Sequence, residues 1–108
     1  MLIPPAIVAA LPPAPIASVT RQTLASGVHL LVAPRPDARL VAIEVRVRGA
    51  GSAGESPTEN GLSHALEHMI FKGGDGDAPG AFDAAFERMG GEVVAQTDRV
   101  STAYRVTV

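Results

Sequence analysis

An α+β fold, with helices packed on one face of a mainly antiparallel sheet, is what the order of patterned segments predicts. Two strand-like runs come first and two helix-like runs follow. A last pair of strand-like runs stands close enough for a hairpin. At 108 residues the chain is at most one domain, with a thin margin of core. With three Phe, one Tyr and no Trp, that core must be filled by Val, Leu, Ile and Ala.

Residues 1–20 are apolar but carry Pro4, Pro5, Pro12, Pro13 and Pro15, and no Lys or Arg precedes Arg21. A secretory signal wants a basic start and an unbroken apolar stretch, and this segment has neither. It reads as an extended, poorly ordered leader, with the domain proper at 21–108. Val28 to Ala33 is the first predicted strand, stopped by Pro34-Arg35-Pro36-Asp37. Leu40 to Val47 is the second. Val41, Ile43, Val45 and Val47 fall on one face, and Ala42, Glu44, Arg46 and Arg48 on the other, the period of a half-buried strand. Arg46 and Arg48 belong to its solvated face.

Gly49 to Gly54 predicts a flexible loop. Ser56-Pro57-Thr58-Glu59 has the form of a capping box with Pro at the first helical position, and Asn60 competes as N-cap. The first helix is therefore expected to begin between 56 and 60 and to end at Gly73-Gly74. After a loop from Asp75 to Pro79, Phe82, Ala85, Phe86 and Met89 recur at helical spacing, closed by Gly90. Phe82, Phe86 and Met89 are expected in the core. Glu92 to Thr97 and Ser101 to Val108 predict two strands joined by Asp98-Arg99-Val100.

Composition excludes several functions. The net charge is −2, and no basic cluster is interleaved with aromatics, so nothing points to nucleic acid. No run of about 18 apolar residues exists to span a membrane. The chain has no Cys, so disulfides and thiolate metal sites are out and the compartment stays open. Metal ligands can come only from His and carboxylates.

The chemistry-bearing feature is His64-Ala65-Leu66-Glu67-His68, an H-x-x-E-H run inside the first predicted helix. Four residues put both imidazoles one turn apart on one face, and Glu67 projects from that face as well. Two neutral imidazoles suit Zn²⁺, and a carboxylate beside them can take a proton from water. The order is that of the inverzincins, the reverse of H-E-x-x-H. Two histidines making ordinary hydrogen bonds on a helix are the plainer alternative. His29 lies on a strand far away in sequence and reads as a surface or half-buried histidine, not a third ligand.

The run from Glu59 to Gly73 closely resembles the signature of the insulinase/pitrilysin-type metallopeptidases, through Gly61, His64, Glu67, His68, Met69, Phe71, Lys72 and Gly73. Gly90-Gly91-Glu92-Val93-Val94-Ala95-Gln96-Thr97, with Thr102 and Tyr104, is similar to a second block of that family. Gly27 to Val32 resembles its first strand. Val94 stands where the family usually has Asn, and Gly74 where it has Thr.

The resemblance implies the N-terminal portion of an insulinase-type domain, one incomplete half of a processing-peptidase-like fold. It implies Zn²⁺ held by His64 and His68, with Glu67 as the base. It places the third ligand, a glutamate, past Val108. It makes Val94, Ala95, Gln96 and Thr97 an edge strand on which a peptide or unfolded polypeptide docks. It also implies a second, homologous domain or subunit that closes over the substrate. The expected activity is zinc-dependent endopeptidase. The alternative is a catalytically silent truncated or partner-type subunit that offers a peptide-binding or assembly surface.

Overall fold

The computed structural model describes residues 18–74 and 76–108. Most of the expected leader, and Asp75 of the expected loop, lie outside the described residues. The chain divides into two compact units, one ending at Ala38 and the other running from Arg39 to Val108.

The first unit is an antiparallel hairpin. β1 (Thr20–Thr23) pairs with β2 (His29–Val32), Thr20 opposite Val32 and Thr23 opposite His29. Leu24 N–H donates to the Val28 carbonyl and Gly27 N–H to the Leu24 carbonyl, closing the turn. Gly27 sits there at φ 86°, where a side chain would be strained. β2 is shorter than the expected Val28 to Ala33. β1 was not expected, because Thr-Arg-Gln-Thr has no apolar alternation to reveal it. His29 is exposed, with Nδ1 3.1 Å from the Thr23 hydroxyl.

The second unit is a three-stranded antiparallel sheet with two helices. In chain order these are β3 (Ala42–Arg48), α1 (Leu62–Ile70), α2 (Ala81–Glu87), β4 (Glu92–Thr97) and β5 (Ser101–Thr107). The strands lie in the order β3-β5-β4, so the last strand is the middle one. Register fixes the faces. Val47, Thr102 and Thr97 stand in one cross-strand row, and Val45, Tyr104 and Ala95 in the next on the same face. This is the face the helices cover. α1 packs on β4 and β5, and α2 on β4. Phe71 bridges the layers, its ring centroid 6.1 Å from Tyr104 and 6.0 Å from Phe82. The opposite face carries the charges: Glu44 accepts from Arg46 Nε at 2.9 Å and from Arg105 Nε at 2.6 Å.

Several expectations need correction. β3 alternates as predicted, but its apolar face is exposed among the described residues, because the helices lie over its neighbours. Gly49 to Gly54 is not a loose loop. Ser52–Gly54 forms a 3₁₀ turn stitched to the β4–β5 connection, Ala53 N–H donating to the Arg99 carbonyl and Gly49 N–H to that of Val100. α1 begins at Leu62, later than expected, and ends at Ile70. Ser56 and Glu59 do bond each other, Ser56 Oγ donating to Glu59 Oε2 at 2.6 Å, but they close a turn instead of starting a helix. α2 ends at Glu87, so Met89 falls beyond the helix face and is 60% exposed. Phe86 is half-buried and Phe82 exposed, stacked edge-on at 5.0 Å.

Candidate metal centre

α1 starts without the usual side-chain cap. Gly61 holds the N-cap position at φ 90°, and its own side makes no cap bond. The free N–H groups of the first turn are met by Glu55, six residues upstream. Its carboxylate accepts from Gly61 N–H and Ser63 N–H, both at 2.7 Å. Those bonds, from Ser63 first and Gly61 second, hold the Glu55 carboxyl below its ordinary value of 4.5. A carboxyl whose folded pKa is depressed stabilises the fold above its unfolded value and loses that contribution as pH falls through its folded one. Glu55→Ala is therefore expected to melt at a lower temperature than the parent at neutral pH. The gap should close as the pH is taken well below 4.5, which thermal melts across acid pH will show.

One turn further on, α1 presents His64, Glu67 and His68 together. Each offers a ligand atom, and these atoms lie within 4.8 Å of one another. Among the described residues this is the one such group. The Nε2 atoms of His64 and His68 are 3.0 Å apart, with ring centroids 4.7 Å apart. At that distance one Nε2–H donates to the other ring, or, with both protons on Nδ1, both lone pairs meet at one cation. Nitrogens each about 2.0–2.1 Å from a tetrahedral Zn²⁺ stand about 3.3 Å apart, so the pair fits that ion with little movement.

The two kinds of group differ in setting. Both histidines are exposed, while Glu67 is 7% exposed and turned onto the sheet. There its Oε2 accepts from the Thr97 hydroxyl of β4 at 2.5 Å. The Thr97 oxygen is also 3.1 Å from that of Thr102, directly opposite on β5, and Thr102 donates to the Ala50 carbonyl at 2.7 Å. Tyr104, one row along, has its phenol pushed above 10.0, by burial first and by the Glu67 charge second. A cleft of about 440 Å³ opens beside Glu67 and His68, walled by Phe71, Phe86, Val93 and Ala95. A second, of about 380 Å³, lies on the His64 side against Asn60, Thr97 and Asp98.

The structure thus brings His64, Glu67 and His68 together, with Thr97 against Glu67 and Ala95 lining the cleft. Val94 and Gln96 fall on the other face of β4 and do not join them. β4 pairs only with β5, so its outer edge is unpaired among the described residues. Sequence reasoning missed Glu55 as the cap, and missed the grip of Thr97 on Glu67, with Thr102 behind Thr97. A two-residue turn at Arg99-Val100, closed by Asp98 N–H donating to the Ser101 carbonyl, is what puts Thr97 opposite Thr102, whereas the three-residue link read from the sequence pairs Thr97 with Ser101.

Comparison with known proteins shows the family to which the chain belongs. Residues 30–108 match the model of the family described as Insulinase (Peptidase family M16). The chain is 40% identical over 90 residues to the uncharacterized zinc protease YmxG of Bacillus subtilis (strain 168), covering 83% of this chain and 22% of that protein. It is 38% identical over 86 residues to a probable mitochondrial-processing peptidase subunit beta of Arabidopsis thaliana, covering 80% of this chain and 16% of that one. A crystal structure of a protease from Helicobacter pylori superposes with a TM-score of 0.78 at 26% identity, covering 86% of this chain and 22% of that chain. The chain spans about a fifth of the length of the relatives it matches.

Proposed function

The chain belongs to the insulinase family of peptidases (family M16), and from that premise we propose that His64, Glu67 and His68 form the catalytic half-site of a zinc-dependent endopeptidase. The observation that carries the reading is the convergence of two imidazoles and one carboxylate on a single face of α1, with the carboxylate held from behind by the sheet. In this reading His64 and His68 hold Zn²⁺ through Nε2. When bound, the ion polarises a peptide carbonyl and makes water more acidic.

The chain's own residues do the rest. Glu67 takes a proton from the attacking water and passes it to the leaving amine. Its charge is kept near the site because burial against β4 gives the side chain one orientation. The unpaired edge of β4, Val94 to Thr97, receives an extended peptide as an added strand, with main-chain bonds supplying affinity. Ala95 and Thr97 line the two clefts that flank the histidines, where substrate side chains lodge. The substrate is a peptide or an unfolded segment, and a second homologous domain or subunit covers it.

A catalytic zinc usually has three protein ligands and an open position. His64 and His68 are two of them. The chain itself is therefore expected to bind Zn²⁺ reversibly and weakly, and less well in acid, since the rings must be neutral to coordinate. Calorimetric titration with Zn²⁺ beside a His64→Ala/His68→Ala control tests this. Equal binding by the control removes the site.

A further inference from the structure

We propose that Thr97 keeps Glu67 from becoming a zinc ligand, and so divides the H-x-x-E-H residues into two ligands and a base. The inference rests on the metal site proposed above. Helical spacing alone does not make this division. All three ligand atoms lie within 4.8 Å of one another, and a carboxylate at that range is itself a good zinc ligand. What separates Glu67 from the histidines is its surroundings. It is buried where they are exposed, and its Oε2 is engaged by the Thr97 hydroxyl at 2.5 Å. A hydroxyl bonded to a carboxylate at this length is among the stronger hydrogen bonds in proteins.

Thr97 is itself held. It sits in the last rung of the β4–β5 ladder, opposite Thr102, and its β-branched side chain has little torsional freedom. Behind it Thr102 is anchored to the main chain at Ala50. Oε2 is thus occupied from the sheet side, and among the described residues Oε1 accepts no hydrogen bond. Thr97 acts here as a positioning residue. Its removal has a consequence opposite in sign to general loosening: the freed carboxylate swings to the metal as a third ligand, so zinc binds more tightly while the base is lost.

The test is Zn²⁺ calorimetry on the chain and its Thr97→Val variant, which keeps the β-branched shape and removes the hydroxyl. Thr97→Val is expected to bind Zn²⁺ about tenfold more tightly, the scale on which outer partners tune a site. Thr97→Ser, which restores the hydroxyl, should bind like the parent. In a Glu67→Gln background the gain from Thr97→Val should vanish, because no carboxylate remains to swing. The absorption spectrum of Co²⁺, used as a substitute metal, should change with Thr97→Val and not with Thr97→Ser. Far-UV circular dichroism checks folding, and Thr97→Ala serves if the valine variant fails that check. Histidine-dependent zinc binding that is unchanged or weakened without the hydroxyl overturns this inference alone. Zinc binding that survives His64→Ala/His68→Ala overturns the metal site and the inference together.

Discussion

In a longer protein that carries the third zinc ligand and the closing domain the resemblance implies, with one zinc bound, Glu67→Gln is expected to lower cleavage of a quenched, extended peptide by about 10²–10⁴-fold, the usual contribution of a positioned acid–base group. Zinc content, read by metal analysis, should stay the same. Glutamine keeps the length of the side chain, and its carbonyl oxygen can still accept from Thr97, so the pocket between α1 and β4 is preserved. What is lost is the capacity to take a proton. Retained activity would remove Glu67 from the chemistry. Loss of zinc would make Glu67 a ligand, and would place the hydroxyl of Thr97 in a different role from the one inferred.

A second large effect is expected outside the cluster of His64, Glu67 and His68. Gly51 is buried, and its backbone is extended at φ −156°, a conformation open to any residue. Space is what demands glycine here. A Cβ at this position would lie 2.6 Å from main-chain atoms of Asp98, Arg99 and Val100, none of which is a flexible side-chain end. Gly51→Ala must push the β4–β5 connection away, and overpacking of this kind costs about 1–3 kcal/mol. The neighbour Ala50 supplies the carbonyl that anchors Thr102, so the displacement reaches Glu67 through Thr102 and Thr97. A lowered midpoint in urea is expected for Gly51→Ala, together with weaker protection of the Thr97 and Thr102 amides from hydrogen exchange. A midpoint equal to the parent's would show that the connection yields without cost.

The parts legible in the sequence were those carried by local pattern. Period-2 alternation in Val41 to Val47 assigned both faces of β3 correctly, because a strand's pleat leaves no other choice. The i, i+3, i+4 relation among His64, Glu67 and His68 likewise follows from helix geometry and needs no tertiary contact. What pattern could not show was which neighbour each face meets. The apolar face of β3 looked half-buried, yet the helices settled on β4 and β5. Ser56 and Glu59 carried a local start signal that the chain used for a turn, while a carboxylate at Glu55 took over the end of the helix. The seating of Glu67 within H-x-x-E-H was invisible for the same reason. It depends on Thr97, thirty residues away in sequence, meeting Glu67 across two layers.

The strand order has a consequence for how this unit assembles. β4 and β5 are joined by three residues, so their hairpin closes a small loop and can form early. β3 pairs with the same central strand from the far end of the unit, Ala42 meeting Thr107. Bringing those ends together carries the entropy of a long loop before any cross-strand contact rewards it. During synthesis β3 is the first strand of this unit to emerge and β5 the last, so the backbone edge of β3 waits unpaired until β5 arrives. The rung that grips Glu67 belongs to the early hairpin, and Glu67 is therefore seated by the part of the sheet with the shortest path to its native pairing.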